Sequence, residues 1–403
     1  MTEVQESKDI ADKAPSDEVV RPIYTRNNPY NSTVVTNRLL SGEGSEKETR
    51  HFAFSLDAGM SYMPGDAVGL VPENRPEAVA EVLEALGFSG DERVLDNNKV
   101  EIRFEEALRS WLTISKLARG SVGQYAKLPA ASGVGGRGYA ALLEFCGPEN
   151  KQRADEYCWG REFIDLITDF PGAVTSPQQL FHVLPRLVPR LYSIASSQLV
   201  HPESVETTVR VVRYDSHGRS RQGVASGQLA ERSDVGSTLP IFLHHSQSFR
   251  LPEDNSASII MVGPGTGIAP FRAFLEERRA RGASGKNWLF FGDQHQATDF
   301  LYEELWDEML SDGTLTRLDT AFSRDQVEKI YVQNRIREHA AELYDWLQRG
   351  AYFYVCGDAS RMAKDVERAL LDAIATGAQC SPEQAVEYLT ALKAEKRYRR
   401  DVY

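Results

Sequence analysis

Cysteine is scarce in this chain of 403 residues: Cys146, Cys158, Cys356 and Cys380 make four, and no two of them form a C-x-x-C pair. The spacing excludes the common zinc and iron–sulfur ligand sets and supports no disulfide framework. Histidine is thin as well, with eight in all and one adjacent pair, His244-His245, whose side chains would point to opposite faces of a strand. No metal site emerges. Long apolar runs are also missing. None approaches the roughly 18 residues of a membrane helix, and the first 20 residues are polar and acidic, unlike a signal peptide. The expectation is a cytoplasmic protein with no membrane partner. Basic residues are outnumbered, 46 Lys and Arg against 58 Asp and Glu, for a net charge of −12. This argues against nucleic acid and towards an electropositive protein partner, although an acidic surface also serves solubility alone.

What is present is an ordinary globular composition, long enough for two or three domains. Residues 1–20 read as a disordered leader. Alternation at 33–40 and 51–56, then the turn Pro64-Gly65-Asp66 before an apolar run, starts an antiparallel β-barrel over 21–75. From residue 76 the period becomes helical: Ala78, Val79, Val82, Leu83 and Leu86 share a face closed by Gly87. Helical spacing recurs at 104–109, 111–118 and 152–167, which makes 76–179 a mostly helical insert. Its Gly-rich stretch, 132–138, has no strand and helix flanking it in order and reads as a flexible loop. The β-pattern resumes at 190–195, 207–214 and 239–242, so 180–248 completes a barrel that is discontinuous in sequence. Over 249–403 strands at 258–262, 288–291, 315–321 and 352–355 alternate with helices from residues 270, 300, 325 and 361. That is a doubly wound parallel sheet. The fold class is therefore α+β and α/β multidomain.

Two motifs suggest nucleotide chemistry. The apolar run ending at Val262 enters Gly263-Pro264-Gly265-Thr266-Gly267, and a helix begins near Pro270. Glycines at such a turn let a pyrophosphate settle on the helix N-terminus; a tight turn without ligand is the alternative. Ser323 and Arg324 end the third strand, with Lys329 and Tyr331 following. Cationic donors there suit a ribose 2′-phosphate, where NAD sites present an acidic residue. The plainer account makes Ser323 a helix cap with Gln326 and leaves the charges solvated.

Other strings are ambiguous alone. Arg190-Leu191-Tyr192-Ser193-Ile194-Ala195 is an amphipathic strand, and Thr208 and Tyr214 are ordinary β-formers. Gly223-Val224-Ala225-Ser226 puts small residues and a hydroxyl before a short helix at 227–232, a second candidate anion site. Cys356-Gly357-Asp358 follows an apolar strand at the edge where α/β sheets bind ligands.

Taken together, Arg190 to Ser197, Gly263 to Pro270 and the tail Arg399-Arg400-Asp401-Val402-Tyr403 resemble the FAD/NADPH half of the diflavin reductases. The resemblance spans about residues 28–403 and implies a ferredoxin-reductase-like fold with FAD and NADPH as cofactors. On the flavin side it implies Arg190 and Leu191 at the cofactor, with the Arg190 guanidinium on the pyrophosphate. Tyr192 would lie on one flavin face and Ser193 near the hydride-accepting nitrogen. Gly223, Val224, Ala225 and Ser226 would hold the pyrophosphate, Thr208 and Tyr214 the adenine end, and Thr113 a further contact. On the nucleotide side it implies Gly265, Thr266 and Gly267 at the pyrophosphate. Ser323, Arg324 and Lys329 would meet the 2′-phosphate, and Tyr331 the adenine, with Gln333, Asp358 and Asp365 nearby. Ser193, Cys356 and Asp401 would position the nicotinamide, and Tyr403 would cover the flavin until displaced.

The implied activity is hydride transfer from NADPH to FAD, followed by single electrons to a protein acceptor. The tail leans towards the sulfite reductase branch, whose acceptor is a sirohaem subunit that reduces sulfite to sulfide. A free-standing NADPH:flavodoxin or ferredoxin oxidoreductase, or one serving a separate FMN protein, is the alternative; a non-catalytic scaffold is the other. The insert positions an FMN domain in such enzymes. About 30 polar residues precede the barrel here, against the roughly 150 of a flavodoxin-like module, so the expectation is a chain without one.

Overall fold

The computed structural model describes residues 24–403; the expected leader, 1–20, and the expected start of the barrel segment at residue 21 lie outside them. The first strands, β1 (Tyr30–Leu39), β2 (Glu48–Ser55) and β3 (Ala67–Leu70), turn Val34, Phe52, Phe54, Val68 and Leu70 into one core. The chain then leaves the sheet through the helix Pro76–Leu86, ended by Gly87 in the left-handed conformation. The insert adds a hairpin, β4 (Arg93–Leu95) with β5 (Glu101–Arg103), and helices that include Lys151–Cys158 and Phe163–Asp169. Leu108, Tyr125, Phe163 and Phe170 belong to a core of its own.

Two helical expectations change here. Residues 112–118 are not helical. Leu112 bridges to Arg186, and the Thr113 N–H donates to the Pro185 carbonyl at 2.9 Å, so the segment is stitched to the returning chain. The pattern at 152–167 divides into two helices around Gly160, which sits at φ 69°.

The return brings β6 (Arg190–Ser193), β7 (Ser204–Val211), the hairpin β8 (Arg213–Ser216) with β9 (Arg219–Gln222), the helix Val224–Glu231, and β10 (Thr238–His244). The strand expected at 207–214 breaks at Val212, whose N–H turns to the Ser226 hydroxyl at 3.2 Å. The helix expected at 227–232 starts earlier, at Val224. Six strands pair antiparallel in the order β6-β3-β10-β1-β2-β7, and a bridge between Ile194 and Thr207 closes the ends. The bridge ties the two end strands together at one point, which curls the sheet into a barrel.

The rest of the chain forms β11 (Ile259–Val262), β12 (Asn287–Asp293), β13 (Arg317–Phe322), β14 (Tyr352–Gly357) and β15 (Tyr398–Val402). They pair parallel in the order β13-β12-β11-β14-β15. Helices cover both faces over two separate apolar clusters, so β11 is buried throughout and reads as an unbroken apolar run. Two helices start later than the sequence suggests, at Glu303 and Val332. Ser323 therefore caps no helix; its N–H, like that of Arg324, bonds back to the residue 293–294 turn at 2.9 Å. Strand β15 was not expected. Its charged residues disguise it, yet Tyr398 stacks on Phe353 of β14 with centroids 6.0 Å apart. No helix among the described residues is long and apolar enough to cross a membrane.

Barrel and parallel sheet meet along a buried polar seam. Arg272, from the helix Ala269–Ala280, donates to the Ala195 carbonyl at 2.6 Å and pairs with Glu206 of β7 and, at 2.8 Å, with Glu276. The Ser197 N–H donates to Glu276 at 3.0 Å. Buried charges persist only when compensated in this way, so the seam holds the two sheets in one relative position.

Candidate active site

A cleft of about 1750 Å³ runs between the barrel, the insert and the carboxyl edge of the parallel sheet. Typical small-ligand sites occupy about 300–1,000 Å³, so this one has room for two extended nucleotides. It opens where the chain passes β12 to one side of β11 and β14 to the other, the switch point at which such sheets bind ligands.

At its centre, residues remote in sequence converge. Parallel pairing puts Asp401 of β15 beside Cys356 of β14. The Ser193 hydroxyl, from the barrel strand β6, donates to Asp401 Oδ2 at 2.8 Å, and the Cys356 Sγ lies 3.8 Å from the same oxygen. Burial, then the Asp401 charge, pushes the Cys356 thiol well above its ordinary range, so it is a protonated donor and not a thiolate. Ser193 lines the cleft, whereas Cys356 is fully buried and neither it nor Asp401 forms the wall. The thiol that the resemblance implies beside a nicotinamide thus sits behind the wall, connected to the cleft through Asp401 and Ser193.

Tyr403 occupies the cleft next to this group. Its N–H donates to the Gly357 carbonyl at 3.1 Å, its carbonyl accepts from the Ala359 N–H at 3.0 Å, and its hydroxyl lies 3.1 Å from Thr266 Oγ1. The backbone is pinned and the ring is tethered only through its hydroxyl, in a residue that is 67% exposed as a whole.

Towards the barrel and insert, Arg190 and Leu191 project exposed into the cleft and Tyr192 is half-buried. The N-terminus of the helix Val224–Glu231 faces the cleft through Gly223, Val224, Ala225 and Ser226. Tyr214 stands on the rim. Thr208 lines the wall, but its hydroxyl is engaged with Tyr302 Oη at 2.7 Å. Thr113 also lines it, its hydroxyl donating to the Arg186 carbonyl at 3.1 Å. Lys47, Lys116, Trp159, Gly160 and Arg161 belong to the same wall and carried no signal in the sequence, because loop charges and a lone aromatic have no period.

At the other end, Gly265, Thr266, Ser323, Arg324, Lys329, Tyr331 and Gln333 line the cleft. Gly265 has φ 57°, a left-handed turn, and its Cβ direction is open towards Asp293. Gly267 lies off the wall. A Cβ on it would stand 2.2 Å from the Cys356 carbonyl oxygen, so its smallness lets the turn pack on β14. Asp358 accepts from the Arg361 N–H and the Ser360 hydroxyl, each at 2.8 Å, and these bonds hold its carboxyl below the usual range. Its side chain thereby caps a turn, and Asp365 follows on the helix Met362–Ala378, also on the wall.

The donor set suits two anionic nucleotides: a guanidinium and a helix N-terminus at one end, a glycine turn and two cations at the other. Among the described residues, the Oε1 atoms of Gln222 and Gln294 are buried without a protein partner, and both residues line this cleft. Orphaned acceptors of that kind fit amine or hydroxyl donors from a ligand.

Comparison with known proteins follows the same division. The FAD binding domain family matches residues 22–115 and 141–227, and the oxidoreductase NAD-binding domain family matches 261–368. The chain is 46% identical over 382 residues to the sulfite reductase (NADPH) flavoprotein alpha-component of Bacillus subtilis, covering 94% of this chain and 62% of that protein. It is 44% identical over 389 residues to the Yersinia enterocolitica protein of the same description, covering 96% and 63%. The chain therefore spans a little over three fifths of the length of these relatives.

Proposed function

Because the chain belongs to the flavoproteins that join an FAD-binding domain to an oxidoreductase NAD-binding domain, we propose that it oxidises NADPH and passes the electrons singly to a protein acceptor. That acceptor is the haemoprotein of a sulfite reductase, in line with the description of its relatives. FAD, when bound, supplies the chemistry of taking up a hydride and releasing single electrons. The residues of the chain bind and orient. Arg190 and the N-terminus of the helix Val224–Glu231 hold the flavin pyrophosphate, and Tyr192 packs against one face of the ring system. Tyr403 covers the other face and swings aside for the nicotinamide, its backbone held at Gly357 and Ala359 and its ring tethered by one hydroxyl contact to Thr266. Ser323, Arg324 and Lys329 receive the 2′-phosphate, and Tyr331 receives the adenine. Asp401 fixes the Ser193 hydroxyl where the two nucleotide ends meet, with the Cys356 thiol as its second donor.

One observation carries the reading: the Ser193 hydroxyl of a barrel strand and the Cys356 thiol of the parallel sheet both meet one Asp401 oxygen, between the two ends of the cleft. Asp401→Asn would keep the shape and lose the acceptor charge. NADPH-driven ferricyanide reduction should fall roughly tenfold to a hundredfold, the scale of a misplaced reacting group. NADP+ affinity should change less than about threefold, well under 1 kcal/mol. Equal turnover in the variant would sink the assignment. For the acceptor, NADPH oxidation should become sulfite-dependent when a sulfite reductase haemoprotein is added, and an unresponsive rate would count against that partner.

A further inference from the structure

The loop between β1 and β2 reaches from the barrel onto the parallel sheet. The Gly42 N–H donates to the Thr298 carbonyl at 2.7 Å, and the Ser45 hydroxyl to Asp299 at 2.5 Å. Lys47 pairs with Asp293, whose carboxylate is buried at the end of β12. The approach is close: a Cβ on Gly42 would meet the Thr298 Cα at 3.1 Å. Between these anchors Glu46 Oε2 lies 2.6 Å from Arg324 Nη1. Arg324 and Lys47 line the cleft, at the end assigned above to the nucleotide phosphate, and Glu46 meets Arg324 from outside the wall.

We propose that Glu46 is a specificity-determining residue, an internal counter-anion on Arg324 that a 2′-phosphate must displace. The proposal rests on the reading of Ser323, Arg324 and Lys329 as phosphate-binding residues. A carboxylate and a phosphate ask for the same guanidinium fork. The phosphate carries more charge and gains Lys329 and Ser323 as well, so it displaces the carboxylate. A nucleotide without the phosphate has nothing to offer Arg324, and the Glu46–Arg324 pair stays intact. Three contacts hold the loop in place, so Glu46 is presented to Arg324 instead of drifting in solvent. The Arg324 and Glu46 side chains are 39% and 66% exposed, which sets the size of the effect at that of a surface ion pair, screened by salt.

The experiment titrates NADP+ and NAD+ calorimetrically into the full chain at low and at high ionic strength. Wild type, Glu46→Gln, Glu46→Ala, Arg324→Ala and the Glu46→Gln/Arg324→Ala double variant are compared. Either Glu46 variant should bind NADP+ roughly two- to fivefold tighter at low salt, with the gain shrinking at high salt and NAD+ unchanged. Arg324→Ala should weaken NADP+ selectively, and the double variant should show no gain over it. Unchanged or weaker NADP+ binding in the Glu46 variants, or equal tightening of NAD+, overturns the proposal while the selective loss in Arg324→Ala stands. An Arg324→Ala that weakens both nucleotides alike overturns the phosphate reading underneath it.

Discussion

At Gly267 the constraint is space. A Cβ there would stand 2.2 Å from the Cys356 carbonyl oxygen and 2.8 Å from its carbon, both rigid backbone atoms. Gly265, two residues earlier, has an open Cβ direction but a left-handed φ of 57°. The two glycines of one motif thus answer different demands. Gly267→Ala must lift the turn from β14 and disturb the strand that carries Cys356 towards Asp401. We expect a loss of about 1–3 kcal/mol, the usual cost of overpacking, together with slower NADPH-driven ferricyanide reduction. Denaturation midpoints and turnover check it, and a variant as stable and as fast as wild type would show that the turn moves freely. The motif is legible in the sequence. Which glycine faces the cleft and which faces backbone is not, because β14 arrives from about 90 residues away.

Among the elements, the insert is tied to the barrel by one buried cation. Arg221 of β9 pairs at 2.6 Å with Glu162 and with Asp165, at the start of the helix Phe163–Asp169, and its side chain is 1% exposed. Burial raises the Glu162 carboxyl even with the guanidinium beside it. Arg221→Met would strand both carboxylates, and we expect about 3–5 kcal/mol of destabilisation. Faster proteolytic cleavage near Gly160 should accompany it, and adding Glu162→Gln should recover part of the loss. An unchanged unfolding midpoint would show that the insert is held by its apolar contacts alone. None of this is visible in the sequence, where Arg221 is one of several cations in a polar hairpin. Strand β15 hides for a related reason. Charged residues at an apparent chain end suggest fraying, and only the exposed edge of β14 gives them a ladder to join.

Across the whole molecule, the seam between the sheets should make stability depend on pH. His51 of β2 is buried, its Nδ1 3.0 Å from the Tyr302 hydroxyl and its Nε2 3.5 Å from Glu206. Burial, reinforced by the Arg272 and Arg38 charges and opposed by Glu206, brings it down from the ordinary 6.5 to about 4. Below pH 6.5 the unfolded chain takes up a proton that the folded chain refuses. Stability therefore falls as pH drops from 6.5 towards 4, by about 3 kcal/mol at most for this group. His201 acts in the opposite sense. A hydrogen bond with Glu276 raises it, so its contribution is complete below 6.5 and fades as pH rises through its folded value. Urea midpoints between pH 6.5 and 5 should decline for wild type and decline less for His51→Gln. Parallel profiles would remove His51 as the cause.

By itself the amino-acid sequence determined the fold class, the glycine turn after Val262 and the discontinuous barrel, because each rests on local periodicity or on a turn that needs its own glycines. Residues such as Arg190, Ser193 and Arg324 could be picked out from their motifs. Tertiary structure alone decided what they touch: Ser193 and Cys356 on one Asp401 oxygen, Glu46 on Arg324, Arg221 beneath the insert. Those contacts join segments from about 45 to almost 280 residues apart. A long-range contact leaves no period in the chain, since each partner's local surroundings would be the same had the other been elsewhere. Only the closed barrel and the parallel sheet, packed through their buried polar seam, bring such partners within reach of one another.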